Sequence, residues 1–297
     1  MKLEKRFLLL LALAAMLFSA CEKADPNPPQ PYNPQPYVPV DPNPPSVYKW
    51  GLEELAQANH LLLGTEFTFG EYGTDSIKVI LNRDFEAVTF GNEMKHDCIV
   101  MADGSLNFGN ADTMVGWAKK HELKLFGHTL GWHSQQQADY LNALIDSAPD
   151  AETAAARVRE AHKTWVEAMI EHFDVYGWDV VNETFTDNGQ WRDESNTEAN
   201  YHVFLWGSYY PGGTEEFVKT AFRTAREALE REGKTADLYI NDYNLEGGWA
   251  TGKLEALCSF AEKNPDVTGV GTQMHISADL DRSSFVHMLE RMVQTKK

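Results

Sequence analysis

Residues 48–297 alternate six short apolar or β-branched runs with longer amphipathic stretches, and this alternation is what most limits the possible folds. The strand-like runs are Leu61–Phe67, Ala87–Phe90, Leu123–Leu130, Tyr176–Asn182, Ala236–Asn241 and Val267–Ile276. Helical spacing is clearest at Ala154–Phe173, where Val158, Trp165, Met169 and Phe173 share a face. It recurs at Glu215–Arg231, where Phe217, Ala221, Ala225 and Leu229 do so and Gly233 supplies a stop. Strands separated by helices pair in parallel, because the helix is the crossover that brings the next strand back in the same direction. Two architectures satisfy this pattern: a barrel and a doubly wound open sheet.

The polar residues choose between them. They gather where each strand-like run ends: Glu66; Asn92 and Lys95; His128 with Trp132 and His133; Asn182 and Glu183; Asn241 and Asp242; Gln273 and His275. A doubly wound sheet concentrates its site at one switch point and usually carries a glycine-rich phosphate turn, yet neither GxGxxG nor GxxxxGK occurs. A ring of functional side chains at the carboxyl ends of successive strands is what a barrel site requires. The expected fold is therefore α/β, a (β/α) barrel with about six βα units present.

The first fifty residues read differently. Lys2, Lys5 and Arg6 precede the apolar run Phe7 to Phe18, which is too short to span a bilayer comfortably and leads into Ser19-Ala20-Cys21. Residues 1–20 read as a signal peptide of lipoprotein type, with Cys21 lipidated after cleavage. Phe18 departs from the usual aliphatic residue of that motif, and plain secretion is the alternative. Residues 22–47 hold ten of the 13 prolines and read as an extended linker. Residues 48–297 are then expected at a bacterial cell surface or in the periplasm, touching membrane only through the N-terminal lipid anchor. The formal charge of −18 disfavours nucleic acid as a partner. Cys258 sits among Leu254, Leu257 and Ala261 and reads as a buried free thiol rather than the partner of Cys98 in a disulfide.

Glu183 follows the apolar run Trp178 to Asn182. A carboxyl emerging from a buried strand into a pocket loses solvation, which suits it to donate a proton near neutral pH. Alternatively it is an ordinary strand-end carboxylate capping the next helix. His128 and His133 flank Gly131-Trp132 without a recognised zinc spacing, so histidines satisfied by hydrogen bonds inside a polar sugar pocket fit better than metal ligands. No metal and no cofactor is expected. Lys95 is either a surface cation or, placed beside Asn92 after a strand, a ligand-facing one. Residues 184–213 form a long segment with Phe185, Trp191, Tyr201, Phe204, Trp206, Tyr209 and Tyr210, some able to stack on pyranose rings and some needed to pack the segment down.

Five segments resemble the family 10 glycoside hydrolases, the endo-β-1,4-xylanases, in the family's order. They are Asn92-Glu93-Met94-Lys95, Gly127 to Gln135, Trp178 to Glu183, Tyr239 to Asn244 and Gly271 to His275, and they cover about residues 52–280. The resemblance implies an α/β TIM (β/α)8 barrel, with only about six βα units present in this chain, that hydrolyses xylan with retention, using two carboxylates. By position Glu183 would be the general acid/base and Asn182 would bind the substrate 2-hydroxyl. Asn92, Lys95, His128, Trp132, Gln135, Tyr243, Gln273 and His275 would line the sugar subsites. Xylan or xylo-oligosaccharides would be the partner, and the protein is expected to be a monomer.

Three departures accompany the resemblance, the smallest being that Gln136-Gln137-Ala138-Asp139-Tyr140 lacks the family's usual proline and aromatic pattern. The family usually carries a sugar-binding Glu immediately before Asn92, where this chain has Gly91, so sugar binding there is expected to be weaker or differently made. The family nucleophile, a Glu at the end of the seventh strand, would follow the helix Ser283–Thr295, and the sequence closes at Lys297. The chain is expected to be incomplete at its C-terminus. A catalytically inactive surface protein that binds xylan is the alternative.

Overall fold

The computed structural model describes residues 52–58, 60–197, 203–248 and 251–297. The signal peptide, Cys21, the linker and Tyr201 lie outside the described residues. The elements run α1 (Leu52–Ala58), β1 (Gly64–Phe67), α2 (Phe69–Tyr72), α3 (Asp75–Asp84), β2 (Ala87–Phe90), α4 (His96–Ile99), α5 (Gly109–Lys120), β3 (Lys124–His128), α6 (Ala138–Asp146) and α7 (Ala151–His172). There follow β4 (Gly177–Asn182), α8 (Gly213–Glu232), β5 (Asp237–Asp242), α9 (Thr251–Lys263), β6 (Gly269–Thr272) and α10 (Arg282–Gln294).

All six strands are parallel and lie in the order β1-β2-β3-β4-β5-β6. A doubly wound sheet reverses its strand order at a switch point. Here every crossover moves one strand in the same direction, so the sheet curls one way and its helices cover one face. The result is a half-barrel of (β/α) type.

Burial explains why each unit closes. Every residue of β4 is buried, and Trp178, Val180 and Val181 are wholly so. Helix α7 presents Val158, Trp165, Val166, Met169, Ile170 to the core, and α8 answers with Phe217, Val218, Ala221, Phe222 and Ala225. Burying one such large apolar side chain contributes about 1.5–3 kcal/mol. The Asp150 side chain caps α7 by accepting from Thr153 N at 2.7 Å, and Gly233 ends α8 with φ 64°. Inside the half-barrel, Gly127 on β3 leaves room for the Trp178 ring and Gly269 on β6 leaves room for Tyr239; a Cβ at either position would overlap the aromatic carbons.

The strands differ from expectation at their ends. Strand β1 starts at Gly64 rather than Leu61, because Leu61 N is used in closing α1 onto Ala56 O at 2.9 Å. Strand β3 stops at His128, since Leu130 N turns away to Asp179 O at 3.0 Å. Strand β6 stops at Thr272 rather than Ile276, as Met274 takes a left-handed φ of 45° and leaves the sheet. Cys258 is a fully buried free thiol, and Cys98 is free and exposed.

Candidate active site

The carboxyl ends of β4, β5 and β6 meet in one row of amides around a carboxylate. Asn182 is buried at 2% exposure; its Nδ2 donates to Glu183 Oε1 at 3.2 Å, and its Oδ1 accepts from Asn241 Nδ2 at 3.0 Å. Gln273 Nε2 donates to both Asn182 Oδ1 at 3.1 Å and Glu183 Oε1 at 3.0 Å. The contact of 3.0 Å between His275 Nε2 and Gln273 Oε1 fixes which end of that amide faces the carboxylate. Glu183 itself is half-buried and has φ 56°. Its N–H donates to Asn241 O at 2.9 Å and its carbonyl accepts from Arg192 Nε at 2.8 Å, so the left-handed backbone is held from both sides.

A cation and two amides form the other bank. Lys95 Nζ donates to Gln135 Oε1 at 2.7 Å and to Asn92 Oδ1 at 3.3 Å, and Gln135 Nε2 donates to Asn92 Oδ1 at 3.2 Å. The ammonium stands 5.2 Å from the centre of the Trp132 ring. Burial lowers the Lys95 pKa, and the carboxylates that oppose this include Glu66, Asp97 and Glu183, which puts the two banks in one electrostatic field. His128 Nδ1 lies 2.8 Å from Asp179 Oδ2, inside β4. With Nδ1 engaged, Nε2 is the ring atom that can meet a ligand. Burial raises the Asp179 carboxyl, and His128 opposes that shift.

Behind this surface lies a buried ion pair. Lys253 Nζ is 2.6 Å from Asp242 Oδ1 with both side chains fully buried, and it stands 3.6 Å from the centre of the Tyr243 ring. Asp187 adds a second carboxylate at 3.2 Å. Asp242 also accepts from Phe185 N at 3.2 Å and Tyr243 N at 2.9 Å. Burial pushes its carboxyl up to about 6 against the pull of Lys253. Arg192 Nη2 donates to the Tyr243 hydroxyl at 2.8 Å, linking this pair to Glu183.

The structure thus brings Asn92, Lys95, His128, Trp132, Gln135, Asn182, Glu183, Tyr243, Gln273 and His275 to strand ends on the same side of the sheet. Sequence reasoning missed Asp179, Arg192 and Lys253. A charged residue inside the run Trp178 to Asn182 was itself a signal, since a buried carboxylate needs a partner. Phe185, Phe204, Trp206 and Tyr210 are buried and Trp191 stacks on Phe185 at 4.1 Å, so these five take the packing role expected of part of the long segment. One expectation changes. His128 is a satisfied histidine, whereas His133 Nδ1 is buried without a hydrogen-bond partner, and burial, with the nearby Arg192 charge, lowers its pKa to about 4. Among the described residues no three His, Cys, Asp or Glu side chains converge as metal ligands would.

A half-buried carboxyl oriented by amides can pass a proton, and a cation with amides beside it can hold several hydroxyls at once. Residues 51–297 match the family model of Glycosyl hydrolase family 10. Endo-1,4-beta-xylanase 3 of Hypocrea jecorina is 33% identical over 229 residues, which are 75% of this chain and 58% of that protein. Endo-beta-1,4-xylanase Xyn10C of Cellvibrio japonicus is 31% identical over 205 residues, 67% of this chain and 31% of that protein. Native xylanase 10B from Thermotoga maritima superposes with a TM-score of 0.65 at 28% identity, covering 82% of this chain and 70% of that one. Xylanase 10B from Thermotoga petrophila RKU-1, solved with xylobiose, gives 0.65 at 27%, covering 83% and 70%. The chain spans between about a third and three fifths of the length of the two curated relatives just named. Fold and sequence agree, and the chain belongs to glycosyl hydrolase family 10.

Proposed function

We propose that this chain carries the proton-transferring side of a retaining endo-1,4-beta-xylanase. The observation that carries the reading is the Glu183 carboxyl, gripped at one oxygen by the Asn182 and Gln273 amides and facing the same cleft as Lys95. In the first step Glu183 gives its proton to the glycosidic oxygen as the bond from that oxygen to the anomeric carbon breaks. A second carboxylate takes the anomeric carbon, forming a glycosyl-enzyme. In the second step Glu183 removes a proton from water, whose oxygen displaces the enzyme carboxylate. Retention needs the two carboxyls about 5–5.5 Å apart. Asn182 binds the 2-hydroxyl; Asn92, Lys95, His128, Trp132, Gln135, Tyr243, Gln273 and His275 hold the neighbouring sugars. The protein works outside the cytoplasm as a monomer, anchored through Cys21 or secreted.

The test compares the full-length protein with its Glu183→Ala variant on xylan and on an aryl xylobioside with an activated leaving group. Loss of about 10²–10⁴-fold on xylan is expected, with a smaller loss in the aryl glycosylation step, which needs less proton donation. Unchanged xylan hydrolysis would sink the assignment. Calorimetric binding of xylo-oligosaccharides without product release is the outcome for a surface protein that holds xylan and does not cut it.

A further inference from the structure

Gly91 and Glu66 share one space at the adjoining ends of β2 and β1, and we infer that Glu66 is a specificity-determining residue whose carboxylate accepts hydrogen bonds from the vicinal hydroxyls of a neutral pyranose, with Gly91 as the gap that admits it. This rests on the xylanase reading above. The Gly91 N–H donates to Phe67 O at 3.0 Å, which locks the two chain segments side by side. A Cβ at position 91 would fall on the Glu66 carboxylate, 3.0 Å from its Cδ, and 2.9 Å from Thr68 Cγ2. The Glu66 side chain therefore lies over the α-carbon of Gly91, where a residue with a side chain at 91 would place its own atoms.

The surroundings suit a sugar contact. Glu66 is exposed, and among the described residues no hydrogen bond reaches its carboxylate. Burial depresses the Lys95 ammonium, and Glu66 is the foremost charge opposing that depression, so its carboxylate acts on Lys95 although no ion pair joins them among the described residues. Lys95 is in turn tied to Asn92 and Gln135. A carboxylate is an acceptor only and an ammonium a donor only. Adjacent hydroxyls can donate one bond to each carboxylate oxygen while a hydroxyl oxygen accepts from Lys95. The carboxylate that the family pattern places immediately before Asn92 is thus moved to β1 rather than lost. A fixed negative charge there also disfavours a uronate on the same sugar unit.

Calorimetric titration of the full chain with xylotetraose tests this. Glu66→Ala and the isosteric Glu66→Gln should weaken binding by about tenfold to a hundredfold, the range for hydrogen bonds to a charged group, with the thermal midpoint unchanged. Gly91→Glu alone should also weaken binding, because two carboxylates then compete for one space. The double variant Glu66→Ala/Gly91→Glu should recover affinity to within about threefold of the parent. Parental affinity in the Glu66 variants, or a double variant no better than Glu66→Ala, overturns this inference and leaves the xylanase reading standing. A parent protein that binds no xylo-oligosaccharide overturns both.

Discussion

Arg192 holds the backbone of Glu183 to the side chain of Tyr243: one guanidinium donates to the Glu183 carbonyl and to the Tyr243 hydroxyl, both at 2.8 Å. Its planar fork spans β4 and β5 in a way a lysine cannot reproduce. Arg192→Lys should keep at most one of the two bonds and lower unfolding free energy by about 1–3 kcal/mol. Urea denaturation followed by tryptophan fluorescence reads this out. If the proposed xylanase reading holds, the same variant should both lower kcat and raise KM on xylan, because it loosens the Glu183 backbone and frees the Tyr243 hydroxyl.

Lys253 and Asp242 are a buried pair, so removing one partner strands the other. Lys253→Met should destabilise by about 3–5 kcal/mol. Lys253→Met/Asp242→Asn should recover part of that loss, since no uncompensated charge is left inside. A double-mutant cycle in urea measures the coupling; additive single effects would contradict it.

Acid should unfold the protein through its buried histidines. Burial holds His96 and His162 at about 3 and His133 at about 4, against an ordinary value of about 6.5. Below about 6.5 the unfolded chain takes up protons that the folded chain refuses, so stability is full above that pH and falls as pH drops toward 3. Asp242, raised to about 6, works in the opposite direction: its contribution is present below about 3.8 and is lost as pH rises through about 6. Asp97 and Asp179, also raised by burial, act with Asp242, so the histidine contribution is read as a difference between variants in how far the urea midpoint falls from pH 7 to pH 4.5. His162→Phe, whose ring would sit between Trp206 and Phe217, should reduce the slope by up to about 1.4 kcal/mol per pH unit.

Gly127→Ala should cost about 1–3 kcal/mol, because the added methyl meets the fully buried Trp178 ring and neither can retreat. Differential scanning calorimetry should show a lowered midpoint. Gly116→Ala, on the open face of α5, serves as the neutral comparison.

The strand–helix alternation was legible because each element has a periodic apolar face, and Ala87–Phe90 was placed to the residue. Strand ends were not, since Leu61 and Met274 leave the sheet for reasons set by neighbouring chain rather than by their own apolar character. Within the site, the amides and Glu183 announced themselves at strand ends. Arg192 and Lys253 did not, as each acts on residues far away in sequence and neither sits in a local pattern that demands a partner. Glu66 was visible as a strand-end carboxylate, but its relation to Gly91 exists only once β1 lies against β2.

The strictly sequential strand order has a consequence for how the chain acquires its shape. Every strand after β1 pairs with the one made just before it, so each βα unit can dock onto a finished neighbour as it leaves the ribosome, and among the described residues only β1 and β6 keep an open edge. Assembly by accretion keeps loop-closure costs small at each step. It also means that the Glu183 carboxyl just past β4 is in place, with its backbone bond to Asn241, only after β5 has been added.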